Sequence, residues 1–572
     1  MPHNESQNLN FKWSTAFVRA LYNLGIKEVV ISPGSRSTSL TLAFAAHPGF
    51  RKHICIDERS AGFQAMGLAK GTGIPAVLVC TSGTAVANYL PAVIEASQTN
   101  IPLLVLSADR PPSLRGIGAS QTIDQLKIFG HYPVFFHETG LPDERNESLA
   151  RLKVLAEQAI FYATQKQGVS HLNFPFHKPF EPTAEYLETV EQENEKQAKK
   201  SYSLPKTTVI SQQLAPSIQS QIEEAEAPII IAGNSISQKL GQTISELAKL
   251  LNAPVLVEPG ANIPLSKHTI IGFDGFLRNP EILDTQEPDL ILRFGGAPVS
   301  KAVSSYLTHF SGVPHLRFFE GELFADETLT AHQFVPLHSG LDVSEFKAPM
   351  SINKEWMRSW RRLYKAYSSF RETLMYPTTP LTDGYVFHQM APLIPTRSFT
   401  MLSNSFPARD LALFGEYDGR EIYLNRGAAG IDGILSTTIG LSKSLDKPGV
   451  LFIGDIAFLH DSNALLNLKE VTQPLLIIVL NNGGGTIFKM LPVNSFKKKY
   501  ANYFLTPQLV SLAALCRAHK LPHSLVSRPE QVISAFEQNI EKPGAHIIEC
   551  ITDGEDSMEL RKALWNYEPI LE

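Results

Sequence analysis

Short aliphatic runs that start and stop abruptly recur through this chain, and between most of them lies a stretch with helical spacing. "EVVISPG", "HICID", "PAVLVCTSG" and "PLLVLSADR" come first, and they lack the apolar–polar alternation of a strand with one wet face. Such runs, buried on both faces and separated by helices, form parallel sheets covered on both sides. The alternation restarts near Thr208 with "PIIIAG", "PVLVEPG", "PDLILRFGG" and "HLRFFEG". It restarts again after the amphipathic "KEWMRSWRRLYKAY", with "SFTMLSNS", "EIYLNRG", "GVLFIGD", "PLLIIVLNN" and "HIIECIT". A chain of 572 residues is too long for a single core. The expected fold class is therefore α/β, three doubly wound parallel-sheet domains over residues 1–185, 206–345 and 346–572. Between the first two, "EYLETVEQENEKQAKKSYSLP" reads either as a linker, residues 186–205, or as a charged surface helix.

Several function classes fall away. With 51 basic against 56 acidic residues and no Lys/Arg block, the sequence lacks the run of charge that grips nucleic acid or an anionic membrane. Four cysteines (Cys55, Cys80, Cys516, Cys550) without a CxxC pair argue against a zinc site and a disulfide framework, and fit a reducing cytosol. The N-terminus has neither a basic start nor an apolar stretch, and "PLLIIVL" is far short of the ~18 residues of a membrane span. A soluble, cytoplasmic protein is expected.

Chemistry concentrates at strand ends. "LFIGDIAFLHD" carries Asp455 just past a glycine, and "VLNNGGG" brings Asn482 27 residues later. The intervening helical stretch and strand make this a crossover, which sets the two strand ends side by side where open α/β sheets bind ligands. A carboxylate, an amide oxygen and a main-chain carbonyl freed by glycines suit a magnesium ion. The same residues also fit ordinary strand-end turns. In the first domain, Glu58 opens a helix after "ICID", where an acidic residue also suits the helix dipole.

The two spacings together resemble the signature of thiamine diphosphate-dependent enzymes. That resemblance implies pyrimidine-binding, central and diphosphate-binding domains, with the cofactor bound between the first domain of one subunit and the third of another. A homodimer is then the minimum, a tetramer the alternative. It also implies Asp455, Asn482 and the main-chain oxygen of Gly484 as ligands of Mg2+ or Mn2+. Glu58 would bond the aminopyrimidine ring and promote loss of the thiazolium C2 proton. Gly430, Ile431, Gly454, Ile456, Gly485, Ile487 and Phe488 would surround the cofactor.

"SPGSRSTSL", "DERSAG", "TSGTAVANYLPAVIEA", "LSADRPP", "NRGAAGIDGILST" and "NNGGGTIF" narrow the resemblance to the 2-succinyl-5-enolpyruvyl-6-hydroxy-3-cyclohexene-1-carboxylate synthases of menaquinone biosynthesis. It is close in the first and third domains, while in the central one mainly "GGAPVSK" matches. It implies decarboxylation of 2-oxoglutarate and conjugate addition of the four-carbon carbanion to isochorismate. Substrates so rich in carboxylates call for arginine forks, and Arg36, Arg110, Arg409 and Arg426 stand at suitable strand ends, although each alone also fits a surface or capping role. Ser35, Gln121, Lys301 and Ser405 become further substrate contacts by the same resemblance. Ile431 would bend the cofactor, and Phe488 and Leu491 would form an apolar wall, where core packing is the alternative. Ser120 stands where relatives often have asparagine, and the residues around Lys301 diverge from the pattern. Another thiamine diphosphate carboligase, such as an acetolactate synthase, would not require this arginine set, and the central stretch holds no GxGxxG for a flavin or nucleotide. A non-catalytic nucleotide-binding regulatory protein would have no use for Glu58 together with Asp455 and Asn482.

Overall fold

The computed structural model describes residues 3–200, 202–203, 214–320, 325–337, 341–349, 351, 353–417 and 421–568. The expected start of the central domain, at 206, lies outside the described residues. Among the described residues, eighteen strands form three six-stranded sheets, parallel throughout. The first contains β1 (Glu28–Ile31), β2 (Arg51–Ile54), β3 (Ala76–Cys80), β4 (Leu103–Asp109), β5 (Pro133–Glu138) and β6 (Val169–Pro175). The second contains β7 (Pro228–Ala232), β8 (Val255–Val257), β9 (Thr269–Ile270), β10 (Leu290–Phe294), β11 (His315–Phe319) and β12 (Gln333–Pro336). The third contains β13 (Phe399–Leu402), β14 (Glu421–Leu424), β15 (Gly449–Gly454), β16 (Leu475–Asn481), β17 (His523–Val526) and β18 (Ala545–Ile551).

The first and third sheets share one topology, β2-β1-β3-β4-β6-β5 and β14-β13-β15-β16-β18-β17. In each the winding reverses near the middle, between β1 and β3 and between β13 and β15, and turns back again at the far edge, where β6 and β18 lie inside β5 and β17. The second runs β12-β11-β10-β7-β8-β9 and reverses between β7 and β10. At such reversals the loops leaving the carboxyl ends of neighbouring strands diverge and open a crevice. Aliphatic runs supply the centre of each sheet: β3 and β4 are buried at every residue, as are β7 and β10.

The charged stretch after the first sheet is helical over Ala184–Ala198. Thr183 caps it, and Val190 and Asn194 are buried. Asn194 accepts from Arg19 at 2.6 Å and donates to the Ala46 carbonyl at 3.0 Å. Two buried side chains, with Tyr186 and Leu187 partly buried against the core, hold an otherwise polar helix of about four turns, which is why composition alone reads it as unanchored.

The chain forms two compact units. One is built from the described residues of 1–208 together with 427–446 and 461–468; the other holds the second and third sheets. In the first unit, helix Glu58–Thr72 packs on helix Ile434–Leu445 at backbone distance. A Cβ on Gly67 would lie 2.1 Å from the Thr437 carbonyl oxygen, and one on Gly440 would lie 2.1 Å from that of Gln64. In the second unit, helix Lys354–Leu374 buries Trp356, Met357, Trp360 and Tyr367, and Trp356 Nε1 donates to the Pro228 carbonyl of β7 at 2.8 Å.

Candidate functional site

At the reversal of the first sheet, the loop after β1 folds onto the loop after β3. Gly34 permits this, since a Cβ there would sit 2.3 Å from Thr81. The Arg36 amide donates to Thr81 Oγ1 at 3.2 Å, and its Nη1 donates to the Phe176 carbonyl at 2.6 Å. The guanidinium lies 4.5 Å over the Phe180 ring. Burial, reinforced by the charge of Arg110, lowers its pKa to about 10, against the pull of Asp109. Arg110 Nη1 donates to Ser82 Oγ, and Gln121 Nε2 donates to the Ser82 carbonyl at 2.9 Å. Thr81–Ser82–Gly83 is thus the hub on which Arg36, Arg110 and Gln121 converge. Ser35 is exposed beside them, as is Ser120.

Glu58 is the first residue of its helix, half-buried, after Asp57, whose carboxylate caps the amides of Arg59 and Ser60. Asp57 is itself held by Asn463 Nδ2 at 2.6 Å. The segment carrying Gly430 and Ile431 belongs to the same unit and is clamped at its start: Glu95, buried in helix Leu90–Gln98, accepts from the amides of Gly427 and Ala428 at 2.9 and 2.7 Å. Farther along, Asp461 accepts from the Ser436 amide and hydroxyl at 2.7 and 3.0 Å. Burial pushes its carboxyl up to about 7.

In the second unit β15 and β16 are neighbours with Gly454 opposite Leu480, so the residues following each strand meet. Asp455, 6% exposed, accepts from the amides of Ile456 and Gly484. Burial, with the negative charge of Asp383 added, holds it up at about 6. Asn482 donates Nδ2–H to Asp383 Oδ2 at 3.0 Å, which leaves its Oδ1 without a hydrogen bond among the described residues. Gly483 and Gly484 have φ of 80° and 127°, and a Cβ on Gly484 would fall 2.1 Å from the Leu505 carbonyl oxygen. Ile456 and Ile487 lie beside these groups in sequence; Phe488 packs edge-on against Phe504 at 5.6 Å, while Leu491 is 50% exposed.

The remaining candidates follow β13 and β14 of the third sheet and β10 of the second. Ser405 (φ 75°) follows β13, and its carbonyl accepts from Arg409 Nη1 at 2.6 Å. Arg426 donates to Asn404 Oδ1 at 3.1 Å, and Asn404 donates to the Asn425 carbonyl. Burial lowers the pKa of Arg409, against the attraction of Asp274, Asp410 and Glu258. Two of those carboxylates also hold the loop before Lys301. Glu258 accepts the amides of Val299 and Ser300 at 2.7 and 2.9 Å, and Asp274 accepts from Ser300 Oγ. Arg409 and the start of the Lys301 helix therefore share one acidic neighbourhood.

Residues 11–128 match the model of the thiamine pyrophosphate enzyme N-terminal TPP binding domain, and residues 412–550 that of the C-terminal TPP binding domain. Over its length the chain is 34% identical to the 2-succinyl-5-enolpyruvyl-6-hydroxy-3-cyclohexene-1-carboxylate synthase of Geobacillus kaustophilus, covering 97% of each protein. It is 37% identical to the synthase of the same name from Microcystis aeruginosa, over 91% of this chain and 92% of the relative. The chain belongs to this synthase family. A third member, from Roseiflexus sp., is 35% identical over 97% of this chain and 98% of its own length.

The matched TPP binding domains call for groups able to hold a diphosphate. The Asp455 carboxylate accepts from the Gly484 amide, and Asn482, whose Oδ1 has no hydrogen bond among the described residues, stands two residues before that glycine. Gly454 and Gly483 leave open backbone beside them, a Cβ on either meeting nothing within 4 Å. The residues present thus fit a diphosphate and a hard divalent cation. Sequence reasoning missed Asp383, which anchors the Asn482 amide. This carboxylate is fully buried; it accepts from Thr552 Oγ1 at 2.6 Å and from Arg561 Nη2 at 2.7 Å, and Arg561 also pairs with Asp410. It missed Glu95 and Glu258 as well.

Proposed function

We propose that the chain joins 2-oxoglutarate to isochorismate with loss of carbon dioxide, making 2-succinyl-5-enolpyruvyl-6-hydroxy-3-cyclohexene-1-carboxylate in menaquinone biosynthesis. The observation that carries this reading is the likeness to synthases of that name across 97% of both chains. The arginines that follow β1, β4, β13 and β14 suit the carboxylates of both substrates.

Thiamine diphosphate, when bound, supplies the electron sink for the pair left behind as the carboxyl carbon departs. Asp455, Asn482 Oδ1 and the Gly484 carbonyl would hold Mg2+ or Mn2+ against the diphosphate, with Gly454, Ile456 and Gly485 supplying close backbone. Asp383 fixes which end of the Asn482 amide faces the ion. Glu58 holds a proton at the aminopyrimidine ring nitrogen. Gly430 and Ile431 orient the two rings, and Ile487 and Phe488 exclude water. Arg36, Arg110, Arg409 and Arg426 bind carboxylates, while Ser35, Gln121, Ser405 and Lys301 add hydrogen bonds. The working form is a homo-oligomer, a dimer at least, whose site is completed between subunits, and it acts in the cytoplasm. Among the described residues no helix is long and apolar enough to cross a membrane.

The test gives purified protein thiamine diphosphate, magnesium and 2-oxoglutarate, with and without isochorismate, and follows isochorismate absorbance and carbon dioxide. Cofactor-dependent consumption of both substrates is expected. Decarboxylation of pyruvate with 2-oxoglutarate untouched would overturn the substrate assignment.

A further inference from the structure

The sequence has no basic block, yet the fold makes one. Helix Lys354–Leu374 turns its core face inward on Trp356 and Trp360, and its opposite face, at helical spacing, presents Lys354, Arg358, Arg361, Arg362 and Lys365. These line a groove of about 980 Å3 whose other wall comes from Lys249, near the end of helix Gln238–Leu251, and Lys267, just before β9. All seven cations are exposed, and among the described residues no carboxylate lines the groove.

Neutralisation is partial. Glu355 pairs with Arg362 at 2.7 Å and reaches Arg358 at 3.8 Å. Lys249, Lys267, Lys354, Arg361 and Lys365 have no carboxylate within 4 Å among the described residues. Arg361 is steadied at the wall by donating Nη1–H to the Lys267 carbonyl at 2.8 Å, which leaves the other edge of its fork open. The field reaches inward: after burial, the charges of Lys267, Lys249 and Arg361 help hold His268 below its ordinary pKa. Exposed cations on a convex surface relax into water, but a concave wall focuses their field. The volume lies at the upper end of small-ligand sites. Tyr364, Ser368 and Ser369 add hydroxyls to the lining. None of these residues belongs to the site on β13, β15 and β16.

We propose that this groove binds a small polyanion carrying at least two phosphate or carboxylate groups. Arginine forks and lysine ammonium groups facing each other across a cleft are the chemistry that recognises such a ligand.

The test uses protein saturated with thiamine diphosphate and magnesium, so that the cofactor site cannot take the probe. A fluorescent pyrene trisulfonate is titrated by anisotropy and then displaced with fructose 1,6-bisphosphate. Saturable binding of one dye per chain is expected, displaced by the bisphosphate and weakened by added salt. The pair Lys249→Glu with Lys365→Glu should weaken binding at least tenfold at an unchanged melting temperature. Lys249→Met with Lys365→Met reads the same loss should charge reversal disturb folding. Equal affinity in either pair overturns the proposal. So does binding to phosphatidylglycerol vesicles without displacement by the soluble bisphosphate, which marks a lipid surface instead. A changed sedimentation coefficient in the variants also overturns it, since a second copy of the chain would then cover the groove.

Discussion

Asp383 touches no substrate in the proposed reaction, yet replacing it should cripple metal binding, and two substitutions separate the reasons. Its Oδ2 accepts from Asn482 and Arg561, and its Oδ1 accepts from Thr552. Asp383→Asn can keep all three bonds: the amide oxygen takes the Oδ2 position, and its NH2 donates to the Thr552 hydroxyl, which turns to accept. That variant loses only the charge. Asp383→Leu keeps the forked outline in a larger side chain and loses the acceptors as well, so the Asn482 amide is free to rotate and Arg561 keeps Asp410 alone. Both variants relieve the repulsion that Asp383 exerts on Asp455, so the difference between them isolates the anchoring of the amide. Loss of an outer partner of a metal ligand costs roughly 10–100-fold in affinity, or about 1.4–2.8 kcal/mol. Magnesium titrations of the apoprotein with thiamine diphosphate, followed by tryptophan fluorescence, should show that loss in Asp383→Leu and recovery of most of it in Asp383→Asn. Urea midpoints account for the separate stability cost, about 1–3 kcal/mol for the unpaired buried donors. Equal magnesium affinity in the two variants would refute the positioning role, whatever their stabilities.

Three further outcomes test other parts of the site. Glu58→Gln should bind the cofactor and metal normally but lose roughly 10²–10⁴-fold in turnover, the usual worth of a positioned proton-transfer group; turnover near the parent's would remove it from the mechanism. Gly484→Ala should abolish magnesium-dependent cofactor binding by calorimetry, because its Cβ would collide with the Leu505 carbonyl, whereas Gly483→Ala, with φ 80° and open space, should cost only the strain of the left-handed backbone. Asp461, held up at about 7 against an ordinary 3.8, binds its proton more tightly folded than unfolded, so its contribution to stability is full below pH 4 and is lost as the pH rises to 7; the stability of Asp461→Asn should fall less across that window, and parallel urea-midpoint curves would contradict the assignment.

What the sequence made legible followed from local pattern. Asp455 and Asn482 were singled out because a crossover between adjacent parallel strands leaves both ends on one edge, and the observed register of β15 and β16 places those two ends side by side. Arg36 and Arg110 were singled out as arginines at strand ends, but their anchorage on Thr81 and Ser82 was not visible. Strand β6, "VSHLNFP", escaped notice because three of its seven residues are polar. Ser170, His171 and Asn173 are nonetheless buried: Ser170 donates to the Ala159 carbonyl of the covering helix, His171 Nε2 meets Ser107 of β4, and Asn173 bonds Ser107, Gln125 and Asp109, while His171 Nδ1 has no partner among the described residues. A polar residue in a central strand looks like a break until its partners on other strands are known.

The residues that position the site were hidden for a related reason. Glu95 and Gly427 lie 332 residues apart, and Asp383 and Asn482 lie 99 apart, so no window of sequence contains either pair. Glu95 did leave a trace, a carboxylate within the apolar helix "LPAVIEASQ", where a buried charge requires a partner. Asp383 left none, because an aspartate in a helix's first turn is what the helix dipole favours anyway. The helix Ile434–Leu445 makes the same point at larger scale. Its place between β14 and β15 assigns it to the third sheet, but it packs within the first unit, because Gly440 and Gly67 let two backbones touch. Glycines at such spacing carry no hydrophobic signal. They are informative only as a pair, one on each helix, and that pairing exists only once the chain has folded.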